Sequence, residues 1–171
     1  MKLDTAPGPD ELPPLFYKNF LEKIGVEVSE AVLSVLNLGF LPPNLNHTFI
    51  SLIPKIKSPR KVFEFWPISL CNVLYKLIAK VLANRLKPLL PSLTFKTQSA
   101  FMSERLIPDN ILIAHKTLHY LKTKRTGKIG YMSMKLDMSK AYDRVQWVYL
   151  EKIMEKMGFN RKWINLIAIC I

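Results

Sequence analysis

The sequence predicts an α+β domain. Two stretches, 47–53 and 131–138, alternate side chains at the two-residue period of a strand, while most of the remainder repeats apolar residues every three to four positions, as amphipathic helices do. All 12 prolines fall between Pro7 and Pro108, so the first two thirds should be short elements joined by rigid turns and the last third more regular. No internal repeat or domain boundary is visible.

Ala6-Pro7-Gly8-Pro9-Asp10 is a turn cluster, with two prolines fixing φ and Gly8 permitting a tight reversal. Leu15 to Ile24 and Val28 to Leu38 have helical spacing; Phe16, Phe20 and Ile24 share one i, i+4 row, and Gly39 is the expected stop. Pro42-Pro43 ends the helical pattern. His47 to Ile53 is rich in β-formers and reads as a strand leaving into Pro54-Lys55. From Asn72, a residue suited to capping, to Leu89 a helix is expected with Leu74, Leu77, Ile78, Val81, Leu86 and Leu89 on its apolar side. Another follows Asp109, with Ile111, Ala114, Leu118 and Leu121 as its stripe, and runs into a basic tail from Lys122 to Lys128.

Tyr131 to Met138 is the sharpest alternation in the chain. Met132, Met134, Leu136 and Met138 point one way, and Tyr131, Ser133, Lys135 and Asp137 the other, so a strand is expected with Asp137 on its more polar face. Gln146 to Met157 predicts a helix with Trp147, Leu150, Met154 and Met157 inward, stopped by Gly158. Phe159, Asn160 and Ile164 fit the staple and cap of a last helix.

The chain has 171 residues, and 25 Lys and Arg against 13 Asp and Glu give +12. With 49% hydrophobic and 22% charged residues it can bury a core, which excludes a disordered tail, a collagen and a linker. The positive balance points to polyanions without naming a mechanism. Two cysteines, Cys71 and Cys170, lie far apart with no Cys/His cluster, so neither a disulfide framework nor a zinc site is indicated and a reducing compartment fits. The first residues carry Asp4 and no apolar core, unlike a cleaved secretory signal. The longest uncharged stretch, from Ala31 to Pro54, contains Pro42, Pro43, Asn37, Asn44, Asn46 and His47, which a lipid-spanning helix would not tolerate. An intracellular protein, in cytoplasm or nucleus and without a membrane span, is expected.

An acid at the end of a strand is most often a turn former or a cap. In Lys135-Leu136-Asp137-Met138-Ser139-Lys140-Ala141-Tyr142-Asp143 the carboxylate is followed five positions later by an aromatic ring, an arrangement suited to holding Mg²⁺ and testing a nucleotide's sugar. Leu136 to Val145 resembles the first acidic motif of reverse transcriptases from plant LINE-type (non-long-terminal-repeat) retrotransposons. The blocks Ala6-Pro7-Gly8-Pro9-Asp10, Leu52-Ile53-Pro54-Lys55, Pro67-Ile68-Ser69-Leu70-Cys71-Asn72-Val73, Leu82-Ala83-Asn84-Arg85-Leu86 and Gln98-Ser99-Ala100-Phe101 resemble that family's upstream motifs in order. Several ordered blocks together are a strong signal where one would be weak.

The resemblance implies a partial right-hand polymerase across residues 1–171, with fingers to about residue 125 and the start of the palm from about 126 to 171. It implies Asp137 as the catalytic metal ligand, with the Met138 carbonyl as a further oxygen for Mg²⁺. Tyr142 resembles the steric gate that excludes a 2′-hydroxyl, Lys55 the basic residue on the incoming triphosphate, and Gln98 part of the block that approaches template and nucleotide. RNA template, DNA primer and deoxynucleoside triphosphates are the implied partners; oligomeric state is left open.

There are departures from the family's pattern. Trp66 stands where the family has an arginine, and Glu11 and Glu104 where it has glycines, which matters if φ is positive there. The five aspartates, Asp4, Asp10, Asp109, Asp137 and Asp143, include no adjacent pair like the family's Asp-Asp hairpin, and Asp143 reads as a helix cap. Truncation before that hairpin and the thumb is therefore expected, with no polymerisation by the isolated chain. The alternatives are a non-catalytic nucleic-acid-binding remnant and a decayed element with no selected role.

Overall fold

Gly8 is buried against a residue 64 positions away: a Cβ added to it would lie 2.5 Å from the Asn72 nitrogen, the Asn72 Oδ1 and the Cys71 carbonyl carbon. The computed structural model, which describes residues 2–103 and 105–171, thus brings the N-terminal turn cluster onto the 67–73 block. The Asp10 amide donates to Asn72 Oδ1 at 3.2 Å, and Asn72 Nδ2 donates to the Leu45 carbonyl at 3.1 Å. Asn72 is the buried polar residue of this region. The sequence suggested it as a helix cap; instead its side chain ties together two segments outside the helix.

Two units make up the chain: residues 2–83 with 151–171, and residues 84–150. In the first, helix α1 (Pro14–Asn19) and helix α2 (Leu21–Leu38) are separated at Phe20. α2 runs unbroken through Gly25, between the two stretches of helical spacing, because an isolated glycine inside a long apolar pattern weakens a helix without ending it. The Phe16 and Phe20 rings lie 4.9 Å apart, and Gly39 closes α2 at φ 69° with its amide on the Val35 carbonyl, as the pattern indicated.

Strand β1 (Thr48–Pro54) pairs antiparallel with strand β2 (Phe65–Cys71), in the register Thr48 to Cys71 and Pro54 to Phe65. Helix α3 (Val73–Leu86) follows, and its Ile78, at 0% exposure, and Leu82 pack with Val32, Val35 and Leu36 of α2. Leu166 of the last helix completes that core. Helix α4 (Leu90–Leu93) and helix α5 (Ile107–Thr123) belong to the second unit. The α5 stripe is exposed at Ile111, Ala114 and Leu118, so its apolar spacing gives a helix with no buried face among the described residues.

The segment 131–138, expected as a strand, forms neither helix nor ladder and is exposed throughout. A strand exists only through hydrogen bonds to a neighbour, and none of the described residues pairs with it. A 3₁₀ turn at Tyr142–Arg144 follows, then helix α6 (Trp147–Lys156) and helix α7 (Arg161–Ala168). Met154 of α6 is buried as expected, but Trp147 and Met157 are exposed. Asn160 caps α7, its Oδ1 accepting from the Lys162 amide at 2.8 Å, and Ile164 is buried beneath.

Glu11 adopts φ 57°, the left-handed region that glycine tolerates and other residues resist. Its conformation costs about 1–2 kcal/mol, part of which a glycine would return as unfolded-chain entropy. Glu11→Gly is therefore expected to raise stability by about 0.5–1 kcal/mol, read as a melting temperature higher by roughly 1–4 °C; an unchanged or lower value would show that the carboxylate is needed there. Glu104, the other acid standing for a glycine, lies outside the described residues.

Candidate functional site

Lys55 leaves β1 and is held within the first unit. Its amide donates to the Glu64 carbonyl at 2.8 Å, its Nζ donates to the Phe63 carbonyl at 2.8 Å, and the ammonium stands 4.2 Å from the centre of the Trp66 ring. Trp66 is 59% exposed, opposite Ile53 in the ladder. It is thus no core residue: the indole takes the face of Lys55 through a cation–π contact. Arginine at the same point would present a second cation.

The loop between the strands carries Lys57, Arg60 and Lys61 and is closed by one carboxylate. Glu64 Oε2 accepts from the amides of Arg60 at 2.6 Å and Lys61 at 3.0 Å, and these bonds hold its carboxyl below the usual range. The Lys61 ammonium lies 5.6 Å from the Phe63 ring centre. Cations and exposed rings therefore alternate around the tip of the hairpin, the combination that contacts phosphates and bases of a single strand.

The other residues singled out by the motifs belong to the second unit. Gln98 is exposed, and its Nε2 donates to the Ala100 carbonyl at 3.2 Å within its own loop. That loop is pinned by two side chains that the motif reading did not assign a role. Arg105 donates to the carbonyls of Phe95 at 2.7 Å and Gln98 at 2.8 Å, and Asn110 Nδ2 donates to the Thr97 carbonyl and the Ser99 hydroxyl, both at 2.8 Å. A guanidinium amid turn residues signals such carbonyl clamping only once the turn is seen.

Asp137 and Met138 sit in the irregular exposed segment, and the Asp137 carboxylate has no hydrogen bond or ion pair among the described residues. Lys140, at φ 53°, turns the chain into the 3₁₀ turn that presents Tyr142, 75% exposed. Asp143 lies inside the same turn, ahead of α6, and its side chain makes no hydrogen bond among the described residues. The Tyr142 ring meets Phe101 edge-to-face, with centroids 6.3 Å apart and planes at 80°. The Gln98 loop and the acidic motif are thereby brought together through their aromatic residues.

As a cation site the acidic motif is partial. A carboxylate and a backbone carbonyl are hard oxygens that suit Mg²⁺ in kind, but an octahedral ion needs about six oxygens. Among the described residues no group of three or more His, Cys, Asp or Glu could hold a metal. Earlier in the second unit, the basic tail of α5 lines an open cleft of about 300 Å³ with Lys124, Arg125 and Gly127, and Lys124 Nζ stands 3.9 Å from the Tyr131 ring centre. Both thiols, Cys71 and Cys170, are free, and no helix among the described residues is long and apolar enough to cross a membrane.

Comparison with known proteins agrees with the motifs. The family model described as reverse transcriptase (RNA-dependent DNA polymerase) matches residues 54–170, from the end of β1 through α7. The chain is also 29% identical over 165 residues to an uncharacterised 149 kDa protein of the transposon TX1 of Xenopus laevis; the alignment covers 96% of this chain and 12% of that protein. The match spans Lys55, Gln98, Asp137, Met138 and Tyr142 together, well over half of the sequence, and this chain belongs to the reverse transcriptase (RNA-dependent DNA polymerase) family.

Proposed function

We propose that this chain is the fingers and the first part of the palm of an RNA-directed DNA polymerase from a non-long-terminal-repeat, LINE-type retrotransposon like those of plants. The observation that carries the reading is the acidic motif Leu136 to Val145 lying inside the matched stretch, in order behind the upstream blocks. In this reading Asp137, with the Met138 carbonyl, holds Mg²⁺, which when bound stabilises charge developing on the transferred phosphate. Lys55 neutralises the incoming triphosphate, Gln98 and its pinned loop flank template and nucleotide, and Tyr142 closes against a 2′-hydroxyl. The basic hairpin tip and the α5 tail track the phosphates of RNA template and DNA primer.

Among the described residues no group of three metal-binding side chains stands with Asp137, so in this reading the chain alone binds nucleic acid and does not polymerise. A second reading, a non-catalytic nucleic-acid-binding remnant, draws on Trp66. Where an arginine would fork onto phosphate, the indole has one neutral donor and its face engages Lys55.

Nucleic-acid binding by the chain as it stands tests the common part of both readings. Single-stranded RNA and DNA should bind without sequence preference, and affinity should fall by roughly ten-fold or more between low and moderate salt as phosphate contacts are screened. Binding that is absent, sequence-specific or insensitive to salt would overturn it. Primer extension separates the readings: where the unaltered Xenopus protein itself extends a primer on RNA, a chimera in which this chain replaces the stretch it aligns with copies RNA if the fingers are competent, and stays inactive if the chain is a remnant.

A further inference from the structure

Two exposed aromatic rings that touch each other in water-facing loops need a reason, because neither is buried enough to be held by a core. Phe101 is 83% exposed and Tyr142 is 75% exposed, yet their rings lie edge-to-face at 6.3 Å, within the range where aromatic quadrupoles favour each other. Both are set in backbone that the chain adopts at a cost. Phe101 has φ 63°, an outlier for a bulky side chain, and Lys140, two residues before Tyr142, has φ 53°. The loop bearing Phe101 is fixed from outside by Arg105 and Asn110, so the ring is delivered to Tyr142 by an anchored support. Strained backbone held by surrounding bonds is a hallmark of pre-organised sites.

We infer that Phe101 is a positioning residue for sugar discrimination, its ring holding the Tyr142 ring in the orientation that meets the 2′ position of an incoming nucleotide. The inference rests on the reading of Tyr142 as the gate and goes beyond it, since a gate ring free to rotate about χ1 would leave room for a hydroxyl part of the time. The neighbouring loop supplies the fixed edge. Loss of one aromatic contact corresponds to roughly a two- to ten-fold change in the population of the closed orientation.

Primer extension by the chimera, with deoxynucleotides and ribonucleotides in parallel, reads the effect. Phe101→Gly suits the left-handed backbone and removes the benzyl group; it should raise ribonucleotide use relative to deoxynucleotide use by about two- to ten-fold, and Phe101→Tyr, which keeps a ring, should hold the parent ratio. Tyr142→Ala is the reference for complete loss of the gate. If Tyr142→Ala changes the ratio and Phe101→Gly lowers both activities equally, the inference fails and the gate reading survives. If Tyr142→Ala leaves the ratio unchanged, the gate reading itself fails. The contact is tested without activity in the chain as it stands: the ring proton resonances of Tyr142, identified with Tyr142→Phe, should shift in Phe101→Gly through loss of the ring current, and unmoved resonances would overturn the contact.

Discussion

Gly8→Ala is expected to lower the melting temperature by at least 10 °C or to prevent folding. The added methyl would meet the Asn72 nitrogen, the Asn72 Oδ1 and the Cys71 carbonyl carbon, each at 2.5 Å. Two of these are backbone atoms at the junction of β2 and α3, next to Val73, which is 1% exposed, so they have little room to yield. Overpacking at a rigid site costs about 1–3 kcal/mol. If the clash also shifts the turn part way, Asn72 loses the Asp10 amide while its acceptor stays part-buried, at about 1–3 kcal/mol more. Together these approach the lower end of the 5–15 kcal/mol typical of whole domains. Asn72→Ala removes only the Oδ1 clash, so the double variant should recover part of the loss and no more. Thermal unfolding followed by circular dichroism decides, and a Gly8→Ala melt within 2 °C of the parent would mean that the turn does not dock on Asn72.

Much of this fold is visible in local pattern, and what is not visible depends on partners distant in sequence. β1 declares itself through Thr48, Phe49, Ile50 and Ile53. β2 does not, because Pro67 argues against a strand; the ladder tolerates it since each strand of a two-stranded sheet has a free edge where a missing amide donor does no harm. The alternation at 131–138 is sharper than that of β1 but pairs with none of the described residues, so pattern alone overstates it. The contact of Gly8 with Asn72 spans 64 positions and leaves no periodic trace, whereas the left-handed backbone at Glu11 is foreseeable from a glycine-dependent turn. At the site, the motifs single out Lys55, Gln98, Asp137, Met138 and Tyr142. They say nothing of how these are engaged: Lys55 on the Phe63 carbonyl and the Trp66 ring, or Tyr142 on Phe101.

Asp137→Asn in the chimera should reduce primer extension by about three orders of magnitude or more while leaving nucleic-acid affinity within about two-fold. The substitution keeps the size and shape of the side chain and removes one negative charge, and a divalent cation held by few carboxylates depends on each of them. Metal stabilisation of a phosphoryl-transfer transition state is worth several kcal/mol, and each 1.36 kcal/mol is a factor of ten in rate, so losing about 4 kcal/mol gives the thousand-fold figure. Binding should hardly change because the cations at Lys55, Lys57, Arg60, Lys61, Lys124 and Arg125 lie elsewhere in the sequence from this carboxylate. Asp143→Asn is the internal comparison. It removes the same charge six residues on, from a 3₁₀ turn instead of the exposed segment that precedes it, and should cost less than about ten-fold. Single-turnover extension on an RNA template measures both. If Asp137→Asn keeps more than a tenth of the parent rate, the acidic motif is not the metal-holding site. If Asp143→Asn is equally damaging, the cation is held from the turn as well, and the ligand set must be redrawn around both carboxylates.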